Sequence, residues 1–352
     1  MWLPSSRCTA WTVSTSTRRS ASLSPVKDIG LVGVPYSGKS TLFTALTRTG
    51  AAGGRANQAV VPVPDVRLAV LADLERSRKV VAAQVRFVDV PGGTTAQGLA
   101  ALRMTDTLCV VLRSFGADAN PGAELDEIRA DLILADLAVI ESALENAERR
   151  QKGRGAHADA EVALFTRARD VLGAERLLRD EGFGDDERVV LRGIAPLTLK
   201  PWVIVANVEE GAVVPAGLPE GTLGVSAEIE AETAGMEPEE ARELLAEFGV
   251  KEPGLDRVVA ACYRALDLIT FLTTGEDETR AWEVRRGAHA PEAAGAIHTD
   301  LERGFIRAEV VSYEDLVAEG GWDAAKRKGL LRVEGRDYVV REGDVLHVRF
   351  AV

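Results

Sequence analysis

One segment constrains this chain more than any other. Gly33-Val34-Pro35-Tyr36-Ser37-Gly38-Lys39-Ser40-Thr41 follows the apolar run Ile29-Gly30-Leu31-Val32 and leads into the amphipathic stretch Ser40 to Arg48. A buried strand must therefore pass through a glycine-punctuated loop straight into a helix. Glycines at 33 and 38 let backbone N–H groups turn inward to cradle phosphates, as do the amides of Tyr36, Ser37 and Thr41 around the helix start. Lys39 adds a point charge there, and Ser40 offers its hydroxyl to Mg²⁺.

Partner motifs follow in a consistent order. Val85-Arg86-Phe87-Val88-Asp89-Val90 reads as a second buried strand, and Asp89 at its end can reach the metal, with Gly92 letting the backbone approach the terminal phosphate. Thr107 to Leu112 and Trp202 to Asn207 read as further strands. Asn207-Val208-Glu209-Glu210 then occupies the place where GTPases of this type put Asn-Lys-x-Asp to read guanine, and Ser226-Ala227 matches the loop that backs the base. The candidate base-binding residues are therefore Asn207, Val208, Glu210, Ser226 and Ala227. Strands alternating with helices predict an α/β fold whose ligand lies beyond the carboxyl ends of the strands.

Between the third and fourth of these strands lies an insertion, residues 123–195. Leu125, Ile128, Leu132, Ala135 and Val139 step by three and four, and Val162, Phe165, Ala168 and Leu172 do much the same. Two antiparallel helices are expected, with a basic tip at Arg149-Arg150-Gln151-Lys152-Gly153-Arg154-Gly155 that suits either an acidic partner such as RNA or an ordinary solvated turn. From residue 277 to 352 the pattern changes to short alternating strands (281–284, 305–311, 337–340, 345–350) and two short helices, one starting near Asp300 behind a Thr299/Glu302 capping box. The phosphate-binding domain is thus expected over 27–122 and 196–276, the helical insertion over 123–195 and a small α+β domain over 277–352. Residues 1–26, rich in Ser, Thr and Arg and poor in acids, read as a disordered tail, a start placed too far upstream, or a transit peptide.

Composition narrows the function classes. A formal charge of −12 excludes broad nonspecific adhesion to nucleic acid, so any RNA contact must be local. No apolar run reaches the roughly 18 residues of a membrane span, and Cys8, Cys109 and Cys262 are too far apart for a disulfide framework or a thiolate metal site; a cytoplasmic setting is expected. His289 and His298 have no neighbours at metal-ligand spacing.

Taken together these residues resemble the Obg-like ATPase (YchF) family. The resemblance is carried by the phosphate loop, Val61-Pro62-Val63-Pro64-Asp65-Val66-Arg67-Leu68, Leu132-Ile133-Leu134-Ala135-Asp136-Leu137, Leu199-Lys200-Pro201 with Asn207 to Glu210, Glu252-Pro253-Gly254-Leu255, and Ala294 to Glu309, and it spans about residues 27 to 352. It implies a P-loop domain interrupted by a helical hairpin and followed by a TGS-type β-grasp domain. It also implies ATP in preference to GTP and the ribosome or ribosomal RNA as partner, beside the Mg²⁺ that Ser40 and Asp89 point to.

The departures from that family cluster around the terminal phosphate. Gly53-Gly54-Arg55-Ala56 stands where a metal-ordering threonine is expected, the second switch is shortened to Gly93-Thr94-Thr95-Ala96-Gln97-Gly98, and the family's histidine falls on Ala101. Tyr36 and Ser37 replace the usual Asn and Val. Gln97 is the one polar residue of that loop with a side chain suited to orient a water, although a solvent-facing role is favoured. No catalytic residue is assigned. Two readings compete: a slow Mg²⁺-dependent ATPase acting as a translation-linked switch, and a binding module in which occupancy alone sets the conformation.

Overall fold

The computed structural model describes residues 26–49, 57–90, 93–151, 156–233, 235–248, 250 and 253–351. The expected tail over most of 1–26, the switch residues 53–56, Gly92 and the hairpin tip at 152–155 lie outside them.

In chain order, β1 (Lys27–Val32), α1 (Lys39–Thr49), β2 (Gln58–Pro62), α2 (Val66–Glu75), β3 (Val80–Val81), β4 (Gln84–Asp89), α3 (Ala96–Arg103) and β5 (Thr107–Ser114) precede the insertion. The insertion holds α4 (Pro121–Gln151), α5 (Ala156–Gly173) and α6 (Asp185–Arg192). Then come β6 (Trp202–Val208), β7 (Leu223–Val225), α7 (Ala227–Thr233), α8 (Pro238–Glu247) and α9 (Gly254–Ala265). The chain closes with β8 (Leu268–Thr273), β9 (Thr279–Arg285), α10 (Ala290–Ile297), α11 (Thr299–Arg303), β10 (Phe305–Ser312), α12 (Tyr313–Glu319), α13 (Trp322–Arg327), β11 (Arg332–Glu334) and β12 (Asp344–Phe350).

The first sheet runs β2-β4-β1-β5-β6-β7, parallel throughout except where edge strand β2 pairs antiparallel with β4. Its central strands carry a buried apolar core because helices cover both faces: Ile29, Leu31, Val85, Phe87, Cys109 and Val111 are all fully buried. Because β1 sits between β4 and β5, the chain leaves it toward both sides of the sheet. The loops after Val32, Asp89, Ser114, Val208 and Val225 therefore emerge at one edge, the place where α/β sheets bind ligands.

The insertion is a helical hairpin, as its periodicity predicts, with two corrections. The buried residues of α4 are Leu125, Ile128, Leu132, Ile133, Asp136, Ile140, Leu144 and Ala147, so that Asp136 and Ile140, rather than Ala135 and Val139, take the inward positions. Along α5 the expected Phe165, Ala168 and Leu172 do face α4. At the tip, Arg149 pairs with Glu145 at 3.1 Å and Arg150 with Glu161 at 2.8 Å.

The second sheet runs β11-β10-β12-β8-β9-β3, mixed in direction, with α10 packed on it through Ala290, Ala293 and Ala294 in the β-grasp manner. Four expectations need correcting. Apart from β3, the strands of this sheet begin at Leu268, so the boundary expected at 277 falls between two of them; Leu268-Ile269-Thr270-Phe271-Leu272 is as buried as a strand of the first sheet, and composition does not mark the change. Residues 337–340 form only an isolated bridge, Val339 to His289. Helix α11 is capped by His298, whose Nδ1 accepts from the Asp300 amide at 3.1 Å, and four short helices stand where two were expected.

The sheets are joined through contacts that cross the chain. β3 pairs in parallel with β9, adding a strand from the first half to the second sheet. Arg67 holds Asp65 at 2.7 Å and Glu342 at 2.6 Å, and Glu342 in turn accepts from the Thr270 amide at 2.8 Å. Burial would lower the Arg67 pKa, but its bonds to the two carboxylates raise it further.

Candidate functional site

The loop after β1 is built by close backbone approach. A Cβ on Gly33 would fall 2.5 Å from Ser37 Oγ and 2.6 Å from the Val111 carbonyl. Gly38 has φ +84° and a Cβ there would lie 1.9 Å from Asn207 Nδ2, so both its conformation and its surroundings exclude a side chain. Tyr36 also takes a positive φ of 68°, uncommon for a ring-bearing residue, and its ring is 89% exposed. Ser37 is buried with its Oγ unpartnered, an orphan hydroxyl inside the loop.

Lys39 opens α1, and its ammonium donates to the Asp89 carboxylate and, at 3.2 Å, to the Val90 carbonyl. The cation and the carboxylate expected at phosphate and metal are thus side by side, each mostly buried. Ser40 and Thr41 are exposed on the first turn of α1. Among the described residues no three Asp, Glu, His or Cys side chains cluster to hold a metal. Ser40 with Asp89 suits Mg²⁺ of the kind that completes its shell with phosphate oxygens and water.

Asn207 lies in the buried C-terminal part of β6 and joins two loops. Its Nδ2 donates to the Ser37 carbonyl at 3.1 Å and its Oδ1 accepts from the Ala227 amide at 3.0 Å. Asn207, Ser37, Gly38, Ser226 and Ala227 therefore come together at the sheet edge. Val208 is buried, its Cγ2 directed toward Gly224 of β7, whereas Glu210 is exposed in the turn beyond. Gln97 and Ala101 are both exposed on α3.

Two residues at this edge were missed in the sequence. Glu209 accepts from the Gly116 amide at 2.9 Å and fixes the turn after β5. Phe115, in that turn, brings its ring within 3.8 Å of the position a Gly38 Cβ would occupy. Only its place after a strand end could have pointed to it.

A family model described as Protein of unknown function (DUF933), the C-terminal family of YchF GTPases, matches residues 268–351, which are the second sheet from β8 onward. The Ribosome-binding ATPase YchF of Bacillus subtilis is 37% identical over 361 residues, covering 92% of this chain and 99% of that protein. The chain belongs to the YchF family. The Ribosome-binding ATPase YchF of Haemophilus influenzae is 38% identical over 358 residues with the same coverage. A solved YchF structure, the YchF GTPase of Schizosaccharomyces pombe, superposes with a TM-score of 0.84 at 28% identity, covering 94% of this chain and 99% of that one. The YchF architecture of P-loop domain, inserted hairpin and C-terminal sheet is thus present over nearly the whole chain. No helix among the described residues is long and apolar enough to cross a membrane.

Proposed function

We propose that this protein binds ATP with Mg²⁺ at the Gly33–Thr41 loop, favours it over GTP, turns it over slowly, and works as a nucleotide-dependent switch on the ribosome. The observation that carries the reading is the double tie made by Asn207, which holds the phosphate loop and the Ser226-Ala227 loop in one frame for a purine nucleotide. Lys39 would exchange Asp89 for phosphate when nucleotide enters, leaving Asp89 and Ser40 to hold Mg²⁺. The metal, when bound, supplies charge neutralisation between the two terminal phosphates. Loop amides and the α1 N-terminus orient the rest of the triphosphate.

Base preference follows from Val208 and Glu210. A guanine site needs a carboxylate held to accept from N1–H and N2–H and a lysine stem packed along the base. Here the stem is a buried valine, and the carboxylate is one methylene longer and exposed. A misplaced bond to guanine costs on the order of 1–3 kcal/mol, roughly tenfold to a hundredfold in affinity. The ribosome is the proposed partner because the Bacillus and Haemophilus relatives are ribosome-binding ATPases.

A second reading, a binding module with vestigial hydrolysis, is favoured by the exposed methyl of Ala101 where the family carries histidine. One experiment separates the readings: equilibrium competition of ATP and GTP with Mg²⁺, beside single-turnover hydrolysis with and without ribosomes. A tenfold or greater preference for GTP overturns the base assignment. Tight ATP binding without turnover on ribosomes selects the module.

A further inference from the structure

Two motifs that carry the family resemblance, Leu132 to Leu137 and Leu199 to Pro201, belong to neither the Gly33–Thr41 loop nor the Asn207 and Ser226-Ala227 loops. They meet each other at the far end of α3. Arg103, the last residue of that helix, donates to Asp136 Oδ1 at 2.7 Å and to the carbonyls of Ala195 and Ala135, each at 2.9 Å. Asp136 is fully buried inside the hairpin and also accepts from the Leu197 amide at 3.0 Å, the Thr198 amide at 2.7 Å and the Thr198 hydroxyl at 2.8 Å. Lys200 closes the cluster, donating to the carbonyls of Arg103 and Thr105.

The other end of α3 rests on the phosphate side. A Cβ on Gly98, in its first turn, would lie 2.1 Å from the Gly93 carbonyl, and a Cβ on Gly93 would lie 3.3 Å from the carbonyl of Gly33. Thr95 caps the helix through the Gly98 amide. The helix is about 12 Å long and stiff, so a displacement of its first turn is passed to its last. At that end a planar guanidinium is held at three points on the hairpin and its exit.

We propose that α3 is the coupling rod between the nucleotide site and the helical hairpin, with Arg103 as the positioning residue and Asp136 as its socket. The proposal rests on nucleotide binding at the Gly33–Thr41 loop. Removing the guanidinium should leave that binding in place and uncouple the hairpin from it.

The test is hydrogen exchange on the full-length protein with and without Mg²⁺ and a non-hydrolysable ATP analogue, for the parent and Arg103→Gln. In the parent, nucleotide should protect residues 33–41 and also change exchange along 129–140 by about fivefold or more, the lower end of ordinary coupling between sites. In the variant, protection at 33–41 should persist, with affinity within about threefold, while the change along 129–140 disappears. An unresponsive parent hairpin despite protection at 33–41 overturns the coupling alone, and so does a full response in the variant. Absence of protection at 33–41 in the parent overturns the nucleotide reading itself and the coupling with it. If Arg103→Gln does not melt as a folded protein, Arg103→Lys keeps the charge and loses the fork; a hairpin response equal to the parent's then overturns the proposal.

Discussion

Asn207 and Ala227 are joined by a 3.0 Å hydrogen bond from the Ala227 amide to the Asn207 Oδ1, while the same side chain reaches Ser37 with its other end. One buried amide therefore fixes the distance between the loop after β1 and the loop after β7. Asn207→Ala leaves the Ala227 amide buried without that acceptor, a loss of about 1–3 kcal/mol. Nucleotide affinity should fall about tenfold or more by isothermal titration. An unchanged affinity would show that the tie does not shape the site.

Gly38→Ala attacks the same contact from the other side. It imposes a side chain at φ +84° and within 1.9 Å of Asn207 Nδ2. Nucleotide binding should be abolished in a protein whose far-ultraviolet circular dichroism is unaltered, because the strain is confined to a loop. Retained binding would mean that the loop relaxes freely.

Lys39→Ala removes the cation that in this structure sits on Asp89 and the Val90 carbonyl. Charge-assisted bonds to phosphate contribute about 1.5–3 kcal/mol each, so the dissociation constant for ATP should rise by about tenfold to a hundredfold per bond lost. Fluorescent-nucleotide titration measures it directly.

Glu283 supplies a pH dependence. Its Oε2 is buried without a hydrogen-bond partner, and burial pushes its pKa from 4.5 up to about 7 against the opposing pull of Lys27. The fold prefers the protonated form, so the stability from this group is complete below about pH 4.5 and is lost as pH rises through about 7. Glu283→Gln should raise stability at pH 8 by on the order of 1–2 kcal/mol in urea titrations, with a much smaller gain at pH 5. Equal gains at both pH values would point to a cause other than titration.

Arg67 joins Asp65 to Glu342 across the two sheets, with its side chain 21% exposed. Arg67→Met keeps most of the stem and loses the fork. A cost of about 1–2 kcal/mol is expected after allowance for solvent, with a lower melting temperature as the check.

The strand–loop–helix from Lys27 to Thr49 and the strand ends at Asp89 and Asn207 were legible in the sequence because a buried apolar run broken by glycine is written in adjacent residues. The hairpin was legible too, since apolar residues at helical spacing need no partner to be recognised. Asp136 was not: a carboxylate on a helix reads as a solvent-facing residue unless the four donors that surround it, three of them from residues 197 and 198 and one from 103, are known to be near. Glu209 and Phe115 were missed for the same reason, as their roles depend on loops being neighbours at the sheet edge. The two-residue strand β3 is too short for any pattern of its own, and the fully buried run from Leu268 to Leu272 matches the first sheet in character while belonging to the second.

The pairing of β3 with β9 also sets an order of events during synthesis. The contacts that extend it, Arg78 with Asp277 and Lys79 with Glu278, each span 199 residues of chain. Every strand of the first sheet is made before β8 and β9, so that sheet is complete in sequence while Val80 and Val81 still wait for theirs. A new chain therefore carries an unclaimed strand edge for most of its elongation, and only the arrival of Thr279 and Arg280 closes it.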